Sequence, residues 1–322
     1  MNFDWFEKFD VIQRKTDIDK CVDGNDGFDK VSNIYSRTKL LATCLNKNDS
    51  IKNYAKSGDK ISEPKGYKLL IHKKKYNKLI ETEIERLKST GLYLPSVDIS
   101  KLPPFSFFLQ FTFTLATPYL SKDDEEFYIC DNPVRKDKVF KVPMVSGSTW
   151  KGNMRWTAGL LGGTDYKEEI KNLFGNDRKE DKDFRRGRLN FYPTFFDQIS
   201  LEVINPHDRK TKAGTLPIYI ESVPEDAKGT FSLLYVPFDL MGRPEDVVRT
   251  EVAEDMTLVC NSLRKMMLTY GFSAKKSSEF GVVEKDIKGN LDIAGIKDNE
   301  FSSFDGLKNL IERIKNEVIK NA

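Results

Sequence analysis

From residue 105 onwards, apolar strands and amphipathic helices alternate, and this pattern constrains the fold more than any other feature of the sequence. Residues 105–116 are rich in Phe, Thr and Leu and predict a strand that ends at Thr117-Pro118. Residues 148–161 predict a helix that ends at a pair of glycines, and Pro244 is typical of the first turn of a second, longer helix. Further strands are expected at residues 189–204, 216–223, 230–238 and 280–284, and a last helix at residues 303–320.

The order strand, helix, strands, helix, strand is that of a ferredoxin-like α+β unit, the architecture that RNA-recognition modules share. The first hundred residues differ, because they are polar and contain two segments with helical character, 28–45 and 73–88. We therefore predict a mainly helical N-terminal extension over residues 1–100 and a ferredoxin-like domain with a C-terminal helix over residues 101–322. This fold supports many functions, so the order of elements makes RNA binding one option among several.

The composition excludes several classes of site without selecting a function. The chain has 52 Lys and Arg against 49 Asp and Glu, and a net charge of +3 leaves a polyanionic partner open. Four cysteines lie far apart, without the spacing of a metal site, and two histidines are too few for a histidine-rich metal site. The first residues lack the apolar run of a signal peptide, and no segment has the length of a membrane span, so a cytoplasmic protein without membrane contact is expected.

The sharpest local feature is the segment PMVSGSTWKGNMR at residues 143–155. A turn leads into the N-terminus of a helix, where free backbone N–H groups and the helix dipole favour an anion. Lys151 and Arg155 are four residues apart and project from one face of the first turns. An ordinary capped helix with Trp150 and Trp156 in the core explains the segment equally well. The hydroxyl side chains that can cap this helix are Ser146, Ser148 and Thr149.

The same segment resembles the signature Pro-x-x-x-Gly-Ser-Ser-x-Lys-Gly-x-x-Arg of the RAMP superfamily, the CRISPR-associated RNA-binding proteins. The departures are mild: Thr149 stands where a second serine is usual, and Trp150 where an aliphatic residue is common. The resemblance covers roughly residues 105–285. Three further segments resemble family motifs in the same order, and they are LFG at 173–175, GRLNF at 187–191 and the glycine-rich loop at 270–281.

The resemblance implies a guide-RNA-binding subunit of a type III CRISPR effector complex, an antiviral assembly. Its implied partners are guide CRISPR RNA, target RNA and the other subunits of the complex. The family's pattern assigns contacts with the guide-RNA backbone to Lys151 and Arg155, supported by Ser148.

The glycine-rich loop is the second RNA contact that the resemblance implies. Small residues let backbone N–H groups approach a phosphate, and Lys275 and Lys276 add positive charge. Ser273 and Glu279 stand where many family members have glycine, which weakens the expectation of a close approach there.

Residues 131–137, DNPVRKD, resemble the Asp-x-Pro-Val-x-x-Asp stretch of the repeating backbone subunits in type III complexes. The resemblance implies that Asp131 is the catalytic residue for cutting target RNA. A carboxylate in a loop can hold Mg²⁺ beside a scissile phosphate, or help to deprotonate the attacking 2′-hydroxyl. The acidic residues 123–126 can assist a metal, although no complete ligand set is visible and the metal ligands stay unknown. The alternative is that Asp131 forms a turn ahead of Pro133.

Three functions therefore remain open. The first is a guide-RNA-binding subunit that also acts as a metal-dependent endoribonuclease through Asp131. The second is a structural or capping subunit that binds guide RNA and its neighbours without cutting, and the large N-terminal segment favours it. The third is a guide-RNA-processing ribonuclease that uses His207, for which the sequence identifies no partner residue.

Overall fold

The computed structural model of this protein describes residues 12–59, 63–123, 127–162, 167–176, 185–205, 218–296 and 299–320. The chain divides into two compact units, each made of three segments. Unit 1 comprises Met1–Thr90, Leu120–Pro143 and Phe196–Pro224, and unit 2 comprises Gly91–Tyr119, Met144–Phe195 and Glu225–Ala322. Unit 1 thus joins the N-terminal segment to two later stretches of the chain, and a domain boundary near residue 100 stays a prediction.

Helices and strands both contribute to the structure, as the α+β prediction requires. In chain order, the α-helices are α1 (Lys15–Asp23), α2 (Ile34–Leu41), α3 (Asp49–Lys56), α4 (Gly66–His72), α5 (Lys75–Ser89), α6 (Gly147–Gly162), α7 (Lys167–Phe174), α8 (Glu245–Lys265) and α9 (Phe304–Lys320). The strands are β1 (Phe107–Thr114), β2 (Met144–Val145), β3 (Leu189–Phe191), β4 (Thr194–Phe195), β5 (Ser200–Ile204), β6 (Ile218–Ser222), β7 (Lys228–Tyr235), β8 (Asp286–Ile293) and β9 (Glu300–Ser303). Within the described ranges, every helix is too short or too polar to cross a membrane.

Unit 1 contains helices α1 to α5 and the hairpin of β5 and β6. The helix predicted at residues 73–88 is confirmed as α5, and its apolar face is buried, formed by Tyr76, Ile80, Ile84 and Leu87. The helix predicted over residues 28–45 begins later, at Ile34, because the side chain of Asn33 accepts a hydrogen bond from the N–H of Ser36 at 3.2 Å and caps the helix there. The hairpin pairs Ser200 with Ser222 and Ile204 with Ile218.

Unit 2 is built on a five-stranded antiparallel sheet with the strand order β3-β7-β1-β8-β9. The central strand β1 pairs Phe111 with Phe231 of β7 and with Gly289 of β8. Alternate side chains of a strand point to the same face, so Phe108 of β1 lies on one side of the sheet and Phe107, Phe111 and Phe113 collect on the other. Trp150 of α6 is completely buried there, with its ring centroid 5.1 Å from that of Phe231.

The long helix that Pro244 opens is confirmed as α8, which packs against α6 and α9. The apolar residues of α8 that recur at helical spacing are buried, as is Met267 in the turn that follows the helix. The buried residues of α8 are Val248, Val252, Met256, Val259 and Leu263.

Two strand predictions are wrong in position. Residues 189–204 form the short strands β3, β4 and β5 instead of one strand, because Pro193 has no N–H with which to continue a ladder. Residues 280–284 make a single bridge, from Val283 to Leu115 just after β1, and the strands β8 and β9 follow it. In β8 a side chain at Gly289 would stand 2.1 Å from the carbonyl oxygen of Gln110, so the strand can approach β1 only with glycine there.

A buried ionic cluster joins β3, β7 and α8. The side chain of Arg188 is 2% exposed and lies 2.6 Å from Asp239, 2.8 Å from Glu251 and 2.6 Å from Asp255. The hydroxyl of Tyr235 donates to Asp255 at 2.7 Å. Burial raises the pKa of Asp255 to about 6, and the charge of Arg188 only partly opposes that effect.

Candidate functional site

The start of α6 is capped by Ser146, one of the three candidates in the sequence. Its hydroxyl accepts a hydrogen bond from the N–H of Thr149 at 3.2 Å, and its carbonyl accepts one from the N–H of Trp150 at 3.0 Å. Ser148 is exposed, with its hydroxyl 2.9 Å from that of Ser146. Between them, a Cβ at Gly147 would stand 2.4 Å from the carbonyl oxygen of Phe191, so the turn into α6 requires glycine.

The two cations of α6 have different surroundings. Lys151 is half-buried, and its ammonium has no hydrogen-bond or ion-pair partner among the described residues. Burial, and then the charge of Arg155, lower the pKa of Lys151 below its ordinary value. Arg155 donates through Nη1 to the carbonyl oxygens of Gly175 and Asn176, at 3.1 and 3.3 Å. Arg155 thus also holds the turn after α7 against α6, whereas Lys151 is available to a ligand.

Residues 270–281 form a loop that returns to α6. The N–H of Phe272 donates to the carbonyl of Gly281 at 3.1 Å and closes the neck of the loop. Glu279 has φ 61°, a left-handed conformation in which glycine is favoured, so the backbone here keeps a glycine-type turn although the residue is not glycine. Lys275, at the tip, is exposed and also left-handed, with φ 61°. Ser273 is buried.

Lys276 links this loop to α6. Its ammonium donates to Oδ1 of Asn153 at 2.9 Å and lies 3.9 Å from the ring centroid of Trp156, within cation–π range. Nδ2 of Asn153 in turn donates to the carbonyl oxygen of Phe272 at 3.2 Å. Burial lowers the pKa of Lys276.

Trp156 is the residue of this site that the sequence interpretation missed. The alternative of an ordinary capped helix placed both tryptophans in the core; Trp150 is buried, but Trp156 is 44% exposed and packs edge-on against Tyr270, with centroids 5.3 Å apart. The signal was present in the spacing. Six residues of a helix with 3.6 residues per turn are about one and two-thirds turns, so Trp150 and Trp156 cannot share a face.

The exposed side of α6 has two glycines along its centre, Gly152 and Gly159. A Cβ at either position would meet nothing within 4 Å, so neither glycine is required by packing. At about 100° per residue, Lys151 and Arg155 flank this strip on one side and Trp156 on the other. The exposed surface formed by Ser148, Lys151, Gly152, Arg155, Trp156, Lys275 and Lys276 is called the basic surface below.

The basic surface combines cations, an exposed aromatic ring and a strip without side chains. Lys and Arg neutralise phosphates, an exposed ring stacks on a base, and glycine permits close approach of a polymer backbone. The arrangement therefore suits a single nucleic-acid strand.

Asp131 lies in unit 1, in a loop that a buried carboxylate holds. Glu221 of β6 is completely buried; its side chain accepts hydrogen bonds from the N–H of Val134 at 2.9 Å, from the ammonium of Lys136 and from the hydroxyl of Tyr67. The ammonium of Lys136 also lies 4.7 Å from the ring centroid of Tyr128. The N–H of Glu221 also donates to the carbonyl of Asn132 at 3.1 Å, so that contacts with Glu221 fix the backbone on both sides of the predicted turn at Pro133.

The Asp131 side chain itself is 59% exposed and forms an ion pair with Lys56, the last residue of α3. Nζ of Lys56 lies 2.8 Å from Oδ1 and 2.7 Å from Oδ2 of Asp131. The neighbouring Cys130 is buried, and burial raises the pKa of its thiol to about 12, which excludes a thiolate nucleophile at neutral pH.

The donors around Asp131 do not make a resident Mg²⁺ site by themselves. Among the described residues there is no group of three His, Cys, Asp or Glu side chains that could hold a metal ion. The carboxylate of Asp131 is paired with an ammonium, whereas Mg²⁺ prefers an octahedron of oxygen ligands. His207 and the acidic residues 124–126 lie outside the described residues.

Comparison with known proteins identifies the family. The model of the RAMP superfamily matches residues 112–284, just over half of the chain, and the chain therefore belongs to the RAMP superfamily. The family predicted from the motifs is confirmed.

Two individual proteins are similar to this chain. The CRISPR system Cms endoribonuclease Csm3 of Streptococcus thermophilus is 28% identical over 151 residues, which are 44% of this chain and 68% of that protein. A chain in the cryo-EM structure of the Type III-B Cmr-beta bound to cognate target RNA has a TM-score of 0.53 and 16% identity, over 86% of this chain and 99% of that chain. At this level of identity the structural similarity concerns the fold alone.

Proposed function

We propose that this protein is a guide-RNA-binding subunit of a type III CRISPR effector complex, with target RNA and the neighbouring subunits as further partners. The observation that carries the proposal is the basic surface. It lies within the residues that match the family model, and its cations flank a strip of α6 that has no side chains. The similar Csm3 protein of Streptococcus thermophilus is named as an endoribonuclease of a CRISPR system, which agrees with the proposal.

The proposal includes a ferredoxin-like core for unit 2, and a core of this kind agrees with the role in RNA binding. The strand order β3-β7-β1-β8, with α6 after β1 and α8 after β7, supports it, because the elements then follow the sequence β-α-β-β-α-β. The loop at 270–281 then takes the place of the family's glycine-rich loop.

Binding of the guide is tested by the salt dependence of affinity. Each phosphate that a cation neutralises adds close to one unit to the slope of log K against log salt. Lys151→Ala should weaken guide-RNA binding and reduce that slope by about 1. Lys78→Ala, on the exposed face of α5, is the matched control for the loss of one charge. An unchanged slope in Lys151→Ala contradicts the assignment.

The second part of the proposal is that Asp131 cuts target RNA. A carboxylate that is held in a fixed loop and open to solvent is suited to accept the proton of a 2′-hydroxyl as that oxygen attacks the adjacent phosphate. Mg²⁺ at this site is part of the same prediction, and it would take most of its ligands from RNA phosphates and water.

The test of cleavage uses the assembled complex with guide RNA, target RNA and Mg²⁺. Asp131→Ala and Asp131→Asn should both abolish cutting, because neither side chain accepts a proton at neutral pH. A target with 2′-deoxyribose at the scissile position should also resist. Cutting by Asp131→Asn at the wild-type rate would show that the carboxylate is not the catalytic group.

A non-cutting structural or capping subunit is the second candidate. The observation that favours it is the ion pair with Lys56, because this pair occupies both oxygens of the Asp131 carboxylate in the absence of RNA. The assay above separates the two candidates. Processing of guide RNA through His207 stays a prediction, since that residue lies outside the described part of the chain.

A further inference from the structure

A pocket of about 310 Å³ lies beside Asp131 within unit 1. Its walls come from the end of α3, from the loop that carries Asp131 and from the β5–β6 hairpin. Ligand pockets span roughly 300–1,000 Å³, so this one suits a group about the size of a single nucleotide. The polar residues that line it are Asn53, Lys56, Ser57, Asp131, Tyr67 and Tyr219.

Lys56 is the charged residue that the N-terminal segment contributes to this pocket. It lies outside the residues 112–284 that match the family model, and 75 residues before Asp131. The Lys56 side chain is 21% exposed, against 59% for Asp131, so most of the lysine side chain is covered by protein while the aspartate faces solvent. Its position at the C-terminal end of α3 adds a favourable interaction with the helix dipole.

The stability of the fold does not explain this pair. Partly exposed ion pairs contribute only about 0–1 kcal/mol to folding. The loop that carries Asp131 is already held from the other side by Glu221, through the N–H of Val134 and the ammonium of Lys136. Lys56 therefore acts on the carboxylate and not on the loop's backbone.

Resting on the proposed cleavage at Asp131, we infer that Lys56 is a second catalytic residue and that the pocket binds the target-RNA nucleotide whose 2′-hydroxyl attacks. In the resting site, Lys56 orients the carboxylate through contacts with both of its oxygens. When Asp131 takes the 2′-hydroxyl proton, the oxygen–phosphorus bond forms and negative charge develops on the phosphoryl oxygens. The ammonium, no longer attracted by a charged carboxylate, then stabilises those oxygens.

The step balances without a further reactant. The bond from phosphorus to the 5′-oxygen breaks, and that oxygen takes a proton from the ammonium of Lys56. The products are a 2′,3′-cyclic phosphate and a 5′-hydroxyl, and solvent returns the Asp131 proton to Lys56. An interaction that strengthens only in the transition state accelerates the reaction without tightening substrate binding.

The experiment compares Lys56→Ala, Lys56→Arg, Asp131→Ala and Lys78→Ala in effector complexes assembled with guide RNA, at saturating target RNA under single-turnover conditions. Lys56→Ala should slow cleavage by about 100-fold, the loss typical of removing one donor aimed at developing charge. Its affinity for target RNA should stay near wild type, because guide pairing supplies that affinity. Lys56→Arg should recover part of the rate, and Lys78→Ala should cleave like wild type. A target with 4-thiouridine at the scissile position should cross-link to Tyr219 on irradiation.

Several results overturn the inference, and they can be distinguished from failure of the proposed function. If Asp131→Ala is inactive while Lys56→Ala cleaves at the wild-type rate, Lys56 has no catalytic role and the proposed function stands. Faster cleavage by Lys56→Ala would make the ammonium an inhibitory clamp. Parallel losses of assembly, affinity and rate in Lys56→Ala without recovery in Lys56→Arg would make it structural. If Asp131→Ala cleaves normally, the proposed cleavage fails and this inference fails with it. Cross-linking only outside the pocket removes the nucleotide site.

Discussion

The glycine at the centre of the basic surface gives the sharpest test of RNA binding, because stability and function should respond in opposite directions. Gly152 lies inside α6 with open space where a Cβ would stand. Alanine is favoured over glycine in a helix interior by about 1 kcal/mol. Gly152→Ala should therefore stabilise the protein by close to that amount, and raise its Tm by roughly 1–2 °C, because the entropy of unfolding of a 322-residue chain is large.

The same methyl group should weaken RNA binding. A methyl on the strip moves a phosphate away from Lys151 by about 2 Å, for example from about 4 to about 6 Å. With an effective dielectric constant of about 20, the attraction between the two charges falls from about 4.2 to about 2.8 kcal/mol. The difference of about 1.4 kcal/mol corresponds to a roughly tenfold rise in Kd.

The assay pairs thermal unfolding with guide-RNA binding by fluorescence anisotropy at fixed salt. Gly159→Ala is the matched control, since Gly159 lies seven residues further along the same side of α6 and is equally open. It should stabilise the protein by a similar amount with a smaller effect on Kd, because it is about 10 Å from Gly152 along the helix. If Gly152→Ala is stabilised and binds guide RNA like wild type, the RNA backbone does not approach α6 there.

Three further predictions concern single side chains. Trp156→Ala should weaken binding of single-stranded RNA by about 1–3 kcal/mol, the contribution of one stacked base, as measured by fluorescence anisotropy. Trp156→Phe should retain most of the binding free energy. Equal affinities of the two variants would argue against stacking. Arg188→Ala should lower the free energy of urea unfolding by about 3–5 kcal/mol, because it leaves Asp255 buried without its cation. A loss below about 1 kcal/mol would show that the ionic cluster does not stabilise the fold. Asp255 has a pKa of about 6 in the folded protein, against an ordinary value of 3.8. Between these two pH values the native state therefore binds more protons than the unfolded state. The free energy of unfolding should fall as the pH rises from 3.8 to 6. Asp255→Asn should lose that part of the pH dependence, and a variant with the wild-type pH profile would contradict the assignment of this pKa.

The two motifs that led to the function lie close together in sequence but belong to different compact units. Asp131 is in unit 1, and the helix that begins at Gly147 is in unit 2. In each unit a charged residue to which the resemblance assigned no role has a central place. Lys56 pairs with the carboxylate in unit 1, and Arg188 joins strands to a helix in unit 2.

Local chemistry explains the predictions that succeeded. The apolar spacing of α5 and α8, the proline before α8 and the serine cap of α6 each act within a few residues, so they can be recognised without the rest of the chain. The predictions that failed needed knowledge of neighbours. The strand β8 is polar and was placed too early, because its pairing with β1 and not its own composition makes it a strand.

By itself, the sequence determined the family, the helical faces and the segment around Lys151, because a motif and a helical period are properties of adjacent residues. The tertiary structure decided what each functional side chain meets. It exposes Trp156 beside Lys276, engages Arg155 with the carbonyl of Gly175, and brings Lys56 to Asp131 across 75 residues of chain. Such contacts join positions with no fixed spacing, and only the packing of the helices and loops between them determines which side chains meet.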